Sequence, residues 1–199
     1  YCTSCSLSIL KKFKSKFPKS ETMLVENRGR DTLPLIEKLR YIKDFNYEFV
    51  CVIHSKKTLY RGDGNSIRDS LYNSLIGSEN RIEEIINKFM KEKDVGLITA
   101  AGCLLEHDEL NMASNIQNVK YLSEKIGVPY KKSIFPAGSM FWIRPSILNP
   151  LLKLNNDDFE CEEGHTDGCM PHAVERMYCI CSEYKNFKID TVESFSIYK

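Results

Sequence analysis

Apolar residues recur along the chain with two alternating spacings, one typical of helices and the other of buried strands. Residues 80–92 place Ile82 and Phe89, two helical turns apart, on a single apolar stripe, which predicts an amphipathic helix. Residues 47–53 and 95–101 are short, nearly continuous apolar runs, as in strands covered on both faces. The same spacings predict further helices at 6–17, 31–40, 67–75, 111–126 and 169–183, and further strands at 23–26, 138–144 and 189–198.

The alternation of strands and helices predicts an α/β sandwich around a mostly parallel central sheet. No internal repeat, low-complexity tract or linker divides the chain, so we expect residues 1–199 to form a single domain. The chain starts at Tyr1 rather than at Met, and we therefore expect it to be part of a longer protein.

Composition and charge narrow the classes of function. Apolar residues make up 42% of the chain and the formal net charge is +1, which excludes a nucleic-acid binder that relies on overall positive charge. No apolar run approaches the ~20 residues of a transmembrane helix. The first predicted helix is locally basic. The main interpretation is a helix face exposed to solvent, and the alternative is peripheral contact with an anionic membrane. The lysines in and after it are Lys11, Lys12, Lys14, Lys16 and Lys19.

Eight cysteines leave two interpretations open. A domain of this size does not need disulfides, so the first is reduced thiols in a cytoplasmic protein, several of them acting as small apolar side chains. The second is a structural zinc site, because cysteine and histidine ligands recur within a short segment. Their spacing does not match a standard zinc-finger pattern. The four residues are Cys161, His165, Cys169 and His172.

Three segments follow predicted strands or lead into a predicted helix, which is where open α/β sheets bind ligands. They are residues 26–31, 54–57 and 162–176. The first two carry basic residues that could neutralise a diphosphate, although solvated surface charges are the plain alternative. These basic residues are Arg28, Arg30, Lys56 and Lys57.

The third segment carries a candidate general base. Asp167 precedes the last predicted helix, and a carboxylate at the rim of a site can take a proton from a substrate hydroxyl. The competing interpretation is that Asp167 only caps that helix. His172, Glu175 and Arg176 lie three and four residues apart, which puts them on one face of it. No Walker loop, dinucleotide glycine fingerprint or Gly-x-Ser-x-Gly elbow is present.

Four blocks of sequence, in order, resemble one family. They read "ENRGRDTLPLIEKL", "FVCVIHSKKT", "FPAGSMFWIRPSIL" and "DGCMPHAVERM". Together they are similar to the rhamnan-synthesis protein F family of bacterial glycosyltransferases, over roughly residues 20–180. The resemblance implies a GT-A-like (Rossmann-like) sandwich that uses a nucleotide-sugar donor. Against that pattern, we expect the first βα unit to be missing from this chain.

The resemblance also implies roles for individual residues. Asn27, Arg28, Arg30 and Asp31 would contact the donor nucleotide or hold its loop. GT-A enzymes commonly place an Asp-x-Asp metal motif where this chain has His54, Ser55 and Lys56, with Lys57 next. Cationic side chains can stabilise a leaving diphosphate directly, so we expect metal-independent transfer with no cofactor, although a divalent metal is not excluded.

The remaining blocks would supply the sugar and acceptor side of the site. The segment 137–142 would form its floor, through Gly138, Ser139 and Trp142, with core packing as the plain alternative for Trp142. Asp167 falls where many inverting enzymes keep the catalytic base, and Glu163 is the second candidate. On the last predicted helix, His172 completes the catalytic set and the acceptor side includes Glu175 and Arg176.

The resulting expectation is an inverting glycosyltransferase, with rhamnose as one candidate sugar. It would act at the cytoplasmic face of the membrane on a lipid-linked or surface-polysaccharide acceptor. Other glycosyltransferase domains are candidate partners, and nucleic acid is not. Two alternatives remain: a non-catalytic module that binds a nucleotide-sugar or glycan within a larger synthase, and a zinc-stabilised interaction domain.

Overall fold

The centre of the fold is a four-stranded sheet. A computed structural model describes residues 1–55, 64–164 and 166–193. The strands lie in the order β3 (Val50–Val52), β7 (Phe141–Ile143), β4 (Val95–Ala100) and β8 (Lys188–Val192). All six residues of β4 are buried, as its continuous apolar run predicts.

Helices cover both faces of this sheet. Consecutive residues of a strand point to opposite faces, so they pack against different helices. Leu97 belongs to the core cluster packed by helices α2 (Thr32–Ile42), α6 (Ile116–Ile126) and α7 (Met170–Tyr184). Ile98, the next residue, belongs to the cluster packed by α3 (Gly64–Ile76) and α4 (Glu79–Lys91). The predicted α/β class is therefore confirmed, with helices on both faces of the central sheet.

Two smaller strand pairs flank the central sheet. β1 (Cys2–Ser4) and β2 (Thr22–Leu24) pair in parallel and are joined by α1 (Leu7–Lys16). β5 (Leu104–Glu106) and β6 (Ile134–Pro136) pair antiparallel, and the short helix α5 (Glu109–Met112) follows β5. Three 3₁₀ segments complete the described chain: Lys43–Phe45, Pro145–Lys153 and Asn156–Asp158.

The prediction of a mostly parallel sheet is corrected to a mixed one. β7 runs antiparallel to both β3 and β4, and the β4–β8 pairing is parallel. The reason is a tight turn after β6 that contains two residues with left-handed backbone, Gly138 (φ 91°) and Ser139 (φ 51°). The chain passes through this turn from the β5–β6 pair into β7, which enters the central sheet antiparallel to β3 and β4. An apolar run does not reveal the direction of a strand, so the periodicity could not predict that β7 is antiparallel to its neighbours.

Several helices and strands have other bounds in the structure than the sequence predicts. The helix predicted over 111–126 is broken into α5 and α6 around Ala113–Asn115. The strand predicted over 138–144 shortens to Phe141–Ile143 because the preceding residues form the turn. The predicted strand 189–198 is observed as Lys188–Val192, and residues 194–199 lie outside the described part of the chain.

Several of the cysteines behave as small apolar side chains, as predicted. All eight lie in the described ranges, and no disulfide joins any two of them there. Cys179 and Cys181 sit in the core on α7. Burial raises the pKa of both Cys51 and Cys181 to about 12, so these side chains are neutral thiols at ordinary pH. Among the described residues, no helix is long and apolar enough to cross a membrane.

The central strand should dominate stability. Leu97 is fully buried, whereas Leu110 in α5 is 86% exposed. Leu97→Ala should lower the free energy of unfolding by about 2–5 kcal/mol, because it removes buried methyl groups and leaves a cavity. Leu110→Ala, the same chemical change on the surface, should stay within about 0.5 kcal/mol of the wild type. Urea unfolding followed by circular dichroism measures both, and equal losses would contradict the assigned core.

Candidate functional site

A polar cavity of about 350 Å³ opens at the edge of the sheet where β3 ends and β7 begins. The three segments singled out in the sequence each contribute to its lining. Arg30 and Asp31 come from the first segment and His54 from the second. The third segment and the turn before β7 supply the rest of the predicted lining residues: Asp167, His172, Glu175, Arg176, Gly138 and Ser139.

Arg30 is held at the cavity by two partners from distant parts of the chain. Its Nε lies 2.9 Å from Glu162 Oε2, and its Nη1 lies 2.8 Å from His172 Nε2. A guanidinium group can only donate, so His172 Nε2 accepts from Arg30. The Nδ1 atom lies 3.4 Å from the Cys169 backbone N, 3.1 Å from Cys169 Sγ and 3.6 Å from Asp167 Oδ1. His172 therefore connects Arg30 to the start of α7.

Asp167 presents a carboxylate that is both accessible and oriented. Its side chain is 39% exposed, and the Nδ2 group of the fully buried Asn115 lies 2.9 Å and 3.0 Å from its two oxygens. Arg176 Nη2 is 3.6 Å from Oδ1. The alternative that Asp167 caps α7 is wrong, because the N-cap is Cys169, whose backbone N–H faces the His172 ring. Asp167 is therefore free of a helix-capping role.

Glu175 connects α7 to the turn before β7. Its Oε1 accepts hydrogen bonds from the Gly138 N–H at 2.8 Å and the Ser139 hydroxyl at 3.1 Å, and its Oε2 lies 2.9 Å from Arg176 Nη1. Burial raises the pKa of Glu175, and the charge of Arg176 opposes that shift. The carboxylate is occupied by protein donors on both oxygens.

Arg176 is a structural cation. Its guanidinium donates to the backbone carbonyls of Asn111 and His172 as well as pairing with Glu175, and it lies over the ring of Phe135 at 4.6 Å. It is only 6% exposed. Arg176 therefore shapes the cavity wall, and its donors are largely committed within the protein.

His54 stands at the tip of β3, where the sequence predicts a basic cluster. Its Nε2 donates to the Gly138 carbonyl at 2.7 Å and lies 3.8 Å from Asp31 Oδ2. Asp31 occupies the N-cap position of α2, but its side chain makes no capping hydrogen bond among the described residues. Its carboxylate instead faces the cavity. Lys56 and Lys57, the other members of the cluster, lie outside the described residues.

Four predicted site residues are not among those that line the cavity. Arg28 turns away, donating to the Phe159 carbonyl at 2.7 Å and to Cys161 Sγ at 3.0 Å. Asn27 and Glu163 are exposed. Trp142 packs against the α3–α4 core cluster, and its Nε1 donates to the Leu75 carbonyl at 3.0 Å, which matches the core-packing alternative.

Three residues that shape the site were given no role from the sequence. Arg68, early in α3, lines the cavity, and its helix follows the β3 tip, so position after a strand was a usable signal. Glu162 and Asn115 act by holding Arg30 and Asp167. Nothing in the local pattern marks them, because their partners lie 132 and 52 residues away along the chain.

The zinc alternative gains no support. Within the ranges that the structure describes, no three His, Cys, Asp or Glu side chains are grouped to hold a metal ion. His165, one of the four residues in that alternative, lies outside those ranges. Cys169 and His172 are instead occupied in beginning α7.

Fold and site together define an α/β protein with a charged cavity at a strand edge, and comparison with known proteins assigns it further. The chain matches the family described as rhamnan synthesis protein F over residues 5–186, and it belongs to that family. The description of that family refers to the synthesis of rhamnan, a polysaccharide. No solved structure matches the chain significantly.

Two curated relatives extend the comparison. Both are named uncharacterized protein WxcX and come from Xanthomonas campestris pv. campestris, strains B100 and ATCC 33913. Each is 36% identical over 172 residues, which cover 84% of this chain and 24% of the relative. The chain therefore spans about a quarter of the length of the curated relatives it matches.

A buried histidine behind the cavity should make stability depend on pH. His107 is 4% exposed, and its ring lies against Tyr130 and Phe135 at 6.0 Å and 5.7 Å between centroids. Burial lowers its pKa, and the nearby charge of Arg176 lowers it further. An unfolded histidine takes up its proton near pH 6.5, whereas folded His107 does so only at lower pH.

The unfolded state therefore binds more protons in this window, and the free energy of unfolding should fall as the pH drops from about 7 to 5. His107→Gln removes this titration and should flatten the profile. Urea unfolding at several pH values measures it, with Tyr130→Phe as a control that alters packing without titrating in this range. Parallel profiles for wild type and His107→Gln would assign the pH dependence to other groups.

Proposed function

We propose that this domain is an inverting glycosyltransferase that binds a nucleotide-sugar donor in the cavity and transfers the sugar to a glycan hydroxyl. The observation that carries the proposal is the accessible Asp167 carboxylate, oriented by buried Asn115 in a cavity that also presents Arg30 and Arg68. Membership in the rhamnan synthesis protein F family supplies the context of polysaccharide synthesis. Helices on both faces of the sheet are compatible with a GT-A-like fold, and rhamnose is one candidate sugar.

Asp167 would act as the general base. Its oxygens accept from Asn115 Nδ2 and keep lone pairs on the exposed side, where an acceptor hydroxyl can approach. As the acceptor oxygen attacks the anomeric carbon, its proton passes to Asp167 and the bond to the donor diphosphate breaks. Attack on the face opposite the leaving group inverts the configuration. The Nδ1 atom of His172 lies 3.6 Å from Asp167 Oδ1, so the imidazole ring forms part of the wall beside the proposed base.

The cationic side of the cavity would receive the leaving diphosphate. Arg30 and Arg68 supply planar donors suited to phosphate oxygens. Arg68 pairs with its exposed neighbour Asp69, with Nη2 2.8 Å from Oδ1, a contact that a phosphate can replace at modest cost. Lys56 and Lys57, which follow Ser55 in the sequence, stay candidate donor-binding residues on the family resemblance alone, because they lie outside the described residues.

The lining carboxylates do not fit a resident divalent metal. Glu175 is occupied by Gly138, Ser139 and Arg176, and within the described ranges neither Asp31 nor Asp167 belongs to a group of three His, Cys, Asp or Glu side chains that could hold a metal ion. The position after β3 carries an imidazole in place of a carboxylate pair. We therefore propose that transfer proceeds without a metal cofactor, since fixed cations can stabilise the leaving charge.

A non-catalytic binding module is the second candidate, and one observation favours it. Both Arg30 and Arg176 are already engaged by protein acceptors, so the cavity could hold a ligand without performing chemistry on it. Such a module would bind the same nucleotide-sugar or glycan within a larger synthase. The two candidates differ in whether Asp167 is needed for turnover.

The first test replaces the proposed base. Asp167→Asn keeps the shape but cannot accept the proton, so turnover should fall by about 10²–10⁴-fold while donor affinity changes little. Sugar transfer is measured by product formation, and donor binding by calorimetry. Glu163→Gln, a matched change at the exposed second candidate, should retain turnover. Retained turnover in Asp167→Asn would rule out its role, and donor binding with no turnover in the wild type would favour the binding module.

The second test addresses the metal. Transfer should continue at an unchanged rate when EDTA is added to dialysed protein, because the proposed charge stabilisation comes from side chains. The measurement is the initial rate with and without chelator. Activity that is lost on chelation and restored by Mn²⁺ or Mg²⁺ would overturn metal-independent transfer, while leaving the role of Asp167 open to its own test.

A further inference from the structure

Positive charge is concentrated at the start of the chain. Residues 1–20 contain five lysines and no acidic residue, although the whole chain has 28 lysines and arginines against 27 aspartates and glutamates. The remainder of the chain is therefore slightly acidic. All five lysines, in α1 and just after it, are exposed. Although the net charge of the chain is nearly zero, one helix therefore forms a basic surface.

The same helix carries an apolar stripe that the fold does not cover. Ile9, Phe13 and Phe17 follow one another at four-residue spacing, so they lie on one side of α1 and of the residue that follows it. Ile9 and Phe17 are each 55% exposed, Phe13 between them is partly exposed, and the ring centroids of Phe13 and Phe17 lie 4.8 Å apart. The only buried residue of α1 is Leu10. One residue thus anchors the helix while a row of large apolar groups stays in contact with water.

The lysines border this stripe. Lys12 and Lys16 lie three residues after Ile9 and Phe13, so they are neighbours of the stripe on the helix surface. Long lysine side chains can keep their ammonium groups at lipid headgroup level while apolar neighbours enter the acyl boundary. With 10 residues, α1 is about 15 Å long, half the ~30 Å needed to span a bilayer. The helix is suited to lie in the plane of a membrane surface.

We propose that α1 is a docking surface for an anionic lipid bilayer. The stripe of Ile9, Phe13 and Phe17 enters the headgroup boundary, and Lys12, Lys16 and their neighbours bind the lipid phosphates. Two observations favour this occupant over a second copy of the chain. Paired α1 helices would bring five lysines from each copy together, and no acidic residue within residues 1–20 could offset their repulsion.

The test measures binding of the full chain to vesicles by co-sedimentation. The protein should bind vesicles of equal parts phosphatidylcholine and phosphatidylglycerol, and it should not bind vesicles of phosphatidylcholine alone. Binding should weaken strongly at about 0.5 M NaCl, where the Debye length falls to about 4 Å. Each lysine near an anionic surface contributes about five-fold in affinity, so Lys12→Gln/Lys16→Gln should lose about 30-fold.

A charge-matched control separates the surface from net charge. Lys91→Gln/Lys93→Gln removes the same charge from exposed positions at the end of α4 and should leave binding within about two-fold of the wild type. Phe17→Ser should weaken binding without changing the net charge, and its thermal stability verifies that it is folded. The assay needs no transferase activity, so it can fail or succeed independently of the proposed reaction.

Three results would overturn the proposal. One is equal binding to neutral and anionic vesicles. Another is an equal loss of vesicle binding in Lys12→Gln/Lys16→Gln and in Lys91→Gln/Lys93→Gln. The third is concentration-dependent dimerisation, measured by light scattering without lipid, that Phe17→Ser abolishes, because it would assign the stripe to a second copy.

Discussion

The cavity depends on the interactions of the carboxylate of Glu175, whose side chain is 14% exposed. It joins α7 to the turn before β7 through Gly138 and Ser139, and it pairs with Arg176, which in turn holds the Asn111 carbonyl at the end of α5. A buried carboxylate is stable only when its oxygens are satisfied, so these partners are required together. One network thereby connects the sheet edge, the last helix and the wall below Asp167.

Backbone strain is concentrated at the same place. Arg30 (φ 52°) and Ser139 (φ 51°) both adopt the left-handed region, which side chains other than glycine rarely occupy, and both line the cavity. Such conformations persist where surrounding contacts hold them. Glu162 and His172 hold Arg30, and Glu175 holds Ser139. The polar wall is therefore ordered before any ligand arrives, which reduces the entropy lost on binding.

Charged residues are distributed unevenly in this protein, although its net charge is close to zero. The cavity interleaves cations and carboxylates, so each side chain there is fixed by an oppositely charged or donating neighbour. The first helix has the opposite arrangement, with lysines and no acid within residues 1–20. Interleaved charge favours a rigid site of defined shape, whereas uniform charge favours contact with an extended surface of opposite sign. The two regions are thus suited to different kinds of partner.

Local pattern determined the elements of this fold, and four blocks of sequence determined its family. The helix predicted at 80–92 is observed at Glu79–Lys91, because burial of one helical face repeats every turn and is visible locally. The rule that ligands gather at strand ends correctly brought Arg30, His54 and Asp167 to one cavity. Only the tertiary structure decided the direction of β7, the outward turn of Arg28 and the pairing of Arg30 with His172, 142 residues away. Those outcomes depend on contacts between distant segments, which leave no periodic trace in the sequence.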